Sequence, residues 1–240
     1  MSLRLDHVFV CAGVDGPEAR ALLEVGLVEG SPNVHPGQGT ANRRFFFQHG
    51  FLELLWVHDA LEATSARTAP TRLWERWTGR AGPANPFGLC FSSPTGIEGP
   101  LPFDTWTYAP TYLPPERTIT FAAGTTLAEP ELFVLGWPIP PDAAAREPRT
   151  HRVPLEAMLG VSVGLRDPGA ISAPLRAARD AGWLRVHGSP QPELVVEFAA
   201  PRAVQVTLPE LGLTLRGEVR ARDGGRPALR RPPSRGRGPG

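Results

Sequence analysis

The sequence predicts an α+β fold assembled from β-α-β-β-β units. The opening 57 residues spell that order of elements, and the segment after residue 156 repeats a strand, a helix and then further strands. Hydrophobic residues make up 41% of the chain and charged residues 20%, which is ordinary for a globular protein. A chain of 240 residues can bury about 70–75% of its unfolded surface, so its core needs no disulfide to be stable.

The elements of the first unit, residues 1–58, follow from apolar runs and their boundaries. Pro17 near a first turn and Gly26 after a last turn delimit one helix, and His49-Gly50 suits the turn of a hairpin. The predicted elements are, in order, a strand at Leu3–Cys11, a helix at Ala19–Val25, a loop or irregular strand at Ser31–Asn42, and strands at Arg43–Gln48 and Phe51–Val57.

Proline-rich stretches and changes in composition divide the rest of the chain. The predicted parts are a helical connector at 59–86, a second, strand-rich module at 87–137, a proline-rich linker at 138–156, a C-terminal βαβββ-like module at 157–216, and a disordered Arg/Gly/Pro tail at 217–240. The connector contains a helical pattern over Ala60–Trp77 that Pro70 interrupts. The later predicted elements are a helix at 167–182 and strands at Phe87–Ser93, Thr105–Tyr112, Thr118–Ala123, Glu131–Trp137, Leu159–Leu165, Trp183–His187, Glu193–Phe198, Ala203–Leu208 and Leu213–Leu215.

Charge and composition exclude several classes of function. The net charge is +1 without any lysine, and many arginines lie in the last 24 residues, so the part predicted to fold is mildly acidic. We therefore expect no nucleic-acid partner. Two cysteines are too few for a disulfide framework. Since no apolar run reaches about 18 residues, we expect no membrane span and a cytoplasmic location.

Two polar side chains stand inside predicted strands of the first unit. His7 lies in the first strand, where alternation places it on the face of Leu5 and Phe9, and Glu53 lies in the last strand. Burying an imidazole and a carboxylate costs several kcal/mol unless each finds a partner. A divalent metal satisfies both groups at once, whereas a direct histidine–glutamate hydrogen bond satisfies them without an ion. Spacing alone favours the hydrogen bond.

The motifs around these two residues resemble a known family. They are L-D-H-V-F-V at 5–10, G-L-V-E-G-S-P-N-V-H-P-G-Q-G-T-A-N-R-R-F-F-F at 26–47, L-E-L-L-W-V at 52–57, Y-L-P-P at 112–115 and E-P-E-L-F-V-L at 129–135. Together they are similar to the glyoxalase-like branch of the vicinal oxygen chelate superfamily. The resemblance covers residues 3–216 and implies paired βαβββ modules whose curled mixed sheets surround a cavity.

The resemblance also implies a set of metal ligands. His7 and Glu53 match the ligand positions on the first and last strands of the first module. The second module departs from the pattern, since its first strand carries no histidine, although Glu131 lies near a last-strand position. Two protein ligands are too few for a tight site. A third would have to come from His35, His151 or Glu131, and the metal would be Zn, Fe, Mn, Ni or Mg.

A second group of candidates surrounds a glycine-containing loop. Two closely spaced glycines let a backbone approach a ligand, and an arginine can clamp a carboxylate or phosphate with two hydrogen bonds. The alternative is a polar loop without a ligand. The candidate ligand-binding residues are His35, Gln38, Thr40, Asn42, Arg43 and Tyr112. Trp106, Tyr108 and Trp137 are aromatic residues that either fill the core or line a pocket.

These observations leave two functions open. In the first, a small-molecule enzyme uses His7 and Glu53 as catalytic residues, and a metal polarises vicinal oxygens of the substrate in lyase, isomerase or dioxygenase chemistry. In the second, the same cavity binds or sequesters a small molecule without catalysis, since a fold does not fix a function. The partner in both is a small molecule, and a homodimer is one option for the assembly.

We predict that deleting residues 218–240 leaves thermal stability unchanged, because a disordered tail contributes no packing. Scanning calorimetry on the full-length and shortened proteins measures this. A clear drop in melting temperature would show that the deleted segment belongs to the folded unit.

Overall fold

The computed structural model describes residues 3–140 and 143–219. Its strands are β1 (Arg4–Cys11), β2 (Asn33–His35), β3 (Thr40–Phe46), β4 (Phe51–Val57), β5 (Phe87–Ser92), β6 (Thr105–Tyr108), β7 (Ile119–Ala122), β8 (Glu131–Leu135), β9 (Met158–Leu165), β10 (Arg185–Gly188), β11 (Glu193–Ala200), β12 (Val204–Leu208) and β13 (Leu213–Val219). Its helices are α1 (Ala19–Glu24), α2 (Ala60–Ala63), α3 (Leu73–Thr78) and α4 (Ala173–Asp180), with 3₁₀ turns at Ala69–Thr71 and Pro209–Leu211. The predicted α+β class is confirmed.

Eight strands from the first two modules form one mixed sheet, in the order β2-β3-β4-β1-β5-β8-β7-β6. At its centre β1 and β5 run antiparallel. Each of these two strands is flanked by a parallel partner, β4 beside β1 and β8 beside β5. The predicted modules are therefore two halves of one continuous sheet, joined along β1 and β5.

The five strands of the C-terminal part form a second sheet, in the order β10-β9-β11-β13-β12. Its centre repeats the arrangement of the large sheet: β9 and β11 run antiparallel, and each has a parallel partner, β10 or β13. The two sheets pack through a shared core, since one cluster of buried side chains includes members of both. Val8 and Leu89 represent the large sheet in this cluster, and Val163 and Val196 the smaller one.

A β-bulge in β1 sets which side chains face away from the core. The register against β5 shifts between Leu5 and His7, so Asp6 is the extra residue of the bulge. Without the bulge, Leu5 and His7 would share a face. With it, Leu5 joins Val8 in the shared core, whereas His7 lines a cavity on the opposite face. The expected common face of His7 and Leu5 was wrong for this reason.

Several predicted boundaries differ from the structure. The helical pattern at Ala60–Trp77 is two short helices separated by a 3₁₀ turn that contains Pro70. The stretch 31–42 is not wholly irregular, because it contains β2 and the start of β3. Between β5 and β6, among the described residues, no helix forms, so the second half of the large sheet lacks the helix of the first.

The last strand also reaches further than predicted. β13 continues to Val219, three residues into the segment expected to be disordered, and pairs with β11 as far as Ala200. Residues 220–240 lie outside the described residues. A deletion from residue 218 therefore removes the end of a paired strand, and the tail itself is tested by a deletion from residue 220. No helix in the part of the chain that the structure describes is long and apolar enough to cross a membrane.

Gly88 on β5 gives the central strands room for an aromatic ring. It pairs with Phe9 on β1, and a Cβ at position 88 would overlap the Phe9 ring. We predict that Gly88→Ala lowers the free energy of unfolding by about 1–3 kcal/mol, as overpacking of a core does. Gly136→Ala is the control, because a Cβ there has no neighbour within 4 Å among the described residues, and it should change stability by less than about 0.5 kcal/mol. Equal effects in urea unfolding would contradict this account.

Candidate active site

A cavity of about 180 Å³ lies on the face of the large sheet that points away from the shared core. Most of its lining residues lie on strands β1, β2, β3, β4, β7 and β8. The apolar lining consists of Phe9, Phe51, Leu55, Leu73, Leu113, Ile119, Phe121, Phe133, Leu135 and Trp137. The polar lining consists of His7, Asn33, His35, Gln38, Asn42, Arg44, Glu53 and Tyr112. The cavity is thus an apolar pocket with polar groups on a few strands, as small-molecule sites are.

His7 is held from behind by a carboxylate. Its Nδ1 lies 2.8 Å from Asp6 Oδ1, and Asp6 Oδ2 accepts a hydrogen bond of 2.7 Å from Ser92 Oγ. Burial alone would raise the pKa of Asp6, but its bonds with His7 and Ser92 outweigh burial and lower the pKa. The ring stacks on Phe51, with centroids 4.3 Å apart. Asp6 is therefore an ionised acceptor that fixes a proton on His7 Nδ1 and turns Nε2 toward the cavity.

Glu53 is fixed in a similar way. Asn42 Nδ2 donates to Glu53 Oε1 at 2.6 Å, and Asn42 Oδ1 accepts from the backbone N–H of Asn33 at 2.8 Å. Glu53 is only 5% exposed. The amide of Asn42 thus orients the carboxylate and leaves Oε2 as the oxygen that faces His7.

The two groups meet across a short gap. β1 and β4 are parallel, with Phe9 opposite Glu53, so His7 and Glu53 share a face. His7 Nε2 and Glu53 Oε2 are 3.9 Å apart, which is too far for a hydrogen bond. With Nδ1 protonated toward Asp6, a neutral His7 presents a lone pair to a carboxylate oxygen. Two acceptors that face each other require a shared cation, a proton or a hydrogen-bond donor between them.

A divalent cation fits this gap as far as these two donors go. Bonds of about 2.0–2.2 Å from nitrogen and oxygen can span 3.9 Å. A histidine whose other ring nitrogen donates to a carboxylate is also the usual arrangement of a metal ligand. Among the described residues, however, no other His, Cys, Asp or Glu joins this pair to form a cluster of three. Substrate or water would have to supply the remaining ligands.

One cluster of three candidate donor atoms does exist, formed by Asp6, His7 and Cys90 within 4.8 Å of one another. Asp6 and His7 already bond to each other there. Burial raises the pKa of the Cys90 thiol well above its usual value, and only the thiolate is a good metal ligand. The chemistry of this donor set therefore favours a hydrogen-bonded pair beside a neutral thiol.

The glycine-containing loop contributes a second polar network. Tyr112 Oη donates to Gln38 Oε1 at 3.2 Å, and Gln38 Nε2 donates to Thr40 Oγ1 at 2.8 Å. Thr40 Oγ1 also lies 2.9 Å from His35 Nδ1. Thr40 itself is buried behind the cavity wall, whereas the other three line the cavity. Five of the six predicted ligand-binding residues thus lie in or directly behind the cavity wall.

The sixth, Arg43, lies on the opposite face of β3. It forms two hydrogen bonds with Glu29, of 2.6 and 2.5 Å, and a third with the carbonyl of Gly16. Arg44 lines the cavity instead, opposite Glu53 in the strand register. Its guanidinium donates to Ser31 and lies 4.9 Å from the centre of the Phe46 ring. Strand alternation, which places Asn42 and Arg44 together, was the signal that distinguishes the two arginines.

The structure does not bring Glu131 or His151 to the cavity. Glu131 is buried and accepts a hydrogen bond of 3.1 Å from Arg76, itself 1% exposed. His151 Nδ1 accepts from the backbone N–H of Val28 at 3.0 Å, and Nε2 donates to the carbonyl of Phe46 at 2.9 Å. His151 therefore connects the linker to the first module, since both of its nitrogens are used.

Comparison with known proteins agrees with this architecture. A sequence model described as the glyoxalase-like domain matches residues 5–94, which run from β1 through β5 and contain both His7 and Glu53. This match confirms the predicted resemblance to the glyoxalase-like branch of the vicinal oxygen chelate superfamily over residues 5–94. None of the curated proteins matches the chain.

Two solved structures extend the comparison to the rest of the chain. The crystal structure of a hypothetical protein from Staphylococcus aureus is 11% identical, covers 91% of this chain and 100% of that chain, and has a TM-score of 0.53, which shows a shared fold. A triple mutant of 4-hydroxymandelate synthase from Streptomyces coelicolor is 13% identical, covers 89% of this chain and 62% of that chain, and has a TM-score of 0.39. At that TM-score no property transfers between the two.

His151 makes stability depend on pH. Burial lowers the pKa of His151 from 6.5 in the folded protein, because desolvation disfavours the charged ring more than its bond with the Phe46 carbonyl favours it. As the pH falls, the unfolded chain takes up the His151 proton before the folded protein does. The contribution of His151 to the stability of the folded protein is therefore complete above about pH 6.5 and declines as the pH falls toward the lowered pKa. We predict that the stability difference between wild type and His151→Asn shrinks from pH 7.5 to pH 5 in urea unfolding. A difference that does not change with pH would refute this role.

Proposed function

We propose that the chain is an enzyme for a small molecule and that the His7–Glu53 pair is its reacting centre, with a divalent metal held between the two groups. The observation that carries this proposal is the 3.9 Å gap between His7 Nε2 and Glu53 Oε2 inside an apolar cavity. Each group is oriented from behind, by Asp6 or by Asn42. Such orientation of both partners is what a metal or catalytic site requires.

His7 and Glu53 would hold the metal, and a bound metal would polarise oxygens of the substrate. Non-haem iron oxygenases use two histidines and one carboxylate, whereas among the described residues His7 alone pairs with Glu53, and His35 lines the cavity without joining them. The residues thus favour the lyase or isomerase type of chemistry over the dioxygenase type.

The cavity suits a ligand about the size of one aromatic ring. An apolar cavity of roughly 150 Å³ accommodates benzene, and this cavity has about 180 Å³. Phe121 and Phe133 stack with centroids 5.4 Å apart, and Phe133 contacts the edge of His7 at 5.5 Å. These rings form a wall that keeps water from the pair and offers an aromatic surface to a substrate.

A specific observation favours the second candidate, a binding protein without catalysis. Only two of the His, Cys, Asp and Glu side chains among the described residues meet at the gap, and two ligands give weak metal affinity. In that case the gap would be bridged by a donor group of the ligand. The two candidate functions predict different effects of Glu53→Gln on metal binding, because glutamine keeps the shape of the glutamate side chain and removes its charge.

We predict that Mn²⁺ or Ni²⁺ alone binds the purified protein with one site and raises its melting temperature. Glu53→Gln and His7→Ala should each abolish the binding. His58→Ala is the matched control, since His58 is exposed and lies outside the cavity, and it should bind as the wild type does. Isothermal titration calorimetry and thermal shift measure both effects. Metal binding that is absent in the wild type, or unchanged in Glu53→Gln, would overturn the metal proposal. The second candidate, a small-molecule-binding protein without catalysis, would then remain.

A further inference from the structure

The geometry around His35 points to a ligand that carries an oxygen acceptor. Resting on the proposed use of this cavity, we infer that His35 presents its Nε2–H to the cavity as the hydrogen-bond donor that recognises a carbonyl or enolate oxygen of a single-ring aromatic compound. His35 would then be a specificity-determining residue, separate from the His7–Glu53 pair.

The direction of each bond in the loop network fixes the proton on His35. The Tyr112 hydroxyl donates to the Gln38 carbonyl oxygen, so the Gln38 amide nitrogen is the donor toward Thr40. Thr40 Oγ1 therefore accepts from Gln38. Its own proton also needs an acceptor, because Thr40 is only 1% exposed and an unused buried donor is costly. Within the described part of the chain, His35 Nδ1 is the acceptor in reach, at 2.9 Å.

An imidazole that accepts at Nδ1 carries its proton at Nε2 when it is neutral. Burial lowers the pKa of His35, which keeps the ring neutral near pH 7. No hydrogen bond to Nε2 occurs among the described residues, although the ring lines the cavity. The chain from Tyr112 to His35 thus ends in one unused donor that faces the cavity.

The placement of His35 divides the cavity into distinct regions. His35 lies on β2, two strands from β4, which carries Glu53, and its ring packs against Tyr112 with centroids 4.7 Å apart. The aromatic wall of Phe121 and Phe133 comes from β7 and β8, at the other side of the sheet. Since β4 lies between β2 and β8 in the strand order, a ligand with its ring on that wall and an oxygen at His35 would pass over the strand that carries Glu53.

Acetophenone and α-methylstyrene are probes for this inference, because they differ only by an oxygen in place of a CH₂ group. One neutral hydrogen bond gives a preference of about fivefold for acetophenone in wild type. The preference should disappear in His35→Phe, which keeps a ring, and should persist in His35→Gln, whose amide retains a donor. Ligand-observed NMR titration measures the affinities. An equal preference in wild type and His35→Phe would overturn the inference, as would the failure of both probes to bind.

The tautomer provides a second readout that needs no ligand. Two-bond ¹H–¹⁵N correlation spectra should show His35 protonated at Nε2 in wild type, and Thr40→Val should release this preference because it removes the donor to Nδ1. A wild-type spectrum with the proton on Nδ1 would refute the inference. The two proposals can fail separately in the wild type. A wild type that prefers acetophenone but binds neither Mn²⁺ nor Ni²⁺ would retain the role of His35 while the proposed metal site fails. A wild type that binds the metal but shows no preference for acetophenone would overturn the role of His35 alone.

Discussion

The bulge at Asp6 is the constraint on which the site depends. It turns Leu5 into the shared core and His7 into the cavity, and it leaves Asp6 beside His7 rather than on the opposite face. The Asp6–His7 bond then selects the nitrogen that faces Glu53. Because the proton on Nδ1 is fixed from behind, the gap in front holds two acceptors. The chemistry of the cavity follows from a single extra residue in a central strand.

The large sheet separates two environments with different requirements. One face packs on the smaller sheet and consists of apolar side chains such as Val8 and Leu89. The other face forms the cavity, where His7, Glu53 and His35 are each held by a hydrogen bond from behind. Asn42 orients Glu53 through a hydrogen bond, and Thr40 orients His35 in the same way. Rigid support of this kind reduces the ordering cost of binding.

Much of this arrangement was predictable from the sequence, since a polar residue inside an apolar strand is conspicuous. His7 and Glu53 were predicted in this way, whereas the loop residues were predicted from two closely spaced glycines among hydrogen-bond donors. Arg43 was predicted as the ligand-binding arginine because the stretch before it was treated as an irregular loop, whereas β3 already alternates from Thr40 and places Arg44 in the cavity. The bulge at Asp6 leaves no mark in hydrophobic periodicity, since it is set by pairing with a strand about eighty residues away. For the same reason the Arg76–Glu131 pair could not be predicted from the sequence, because the two residues are distant in sequence and are brought together only by the fold.

The back-to-back contact of the two sheets has a consequence for how this protein is divided. The recognisable family segment ends at residue 94, yet the apolar side of its strands is covered by β9 and β11 from the far end of the chain. His151 fastens the intervening linker to that segment through both ring nitrogens. The end of the matched segment is therefore not the boundary of a unit that folds by itself. If the chain were cut at that residue, the glyoxalase-like part would expose the apolar face of its sheet to water, and this face would tend to associate with another surface.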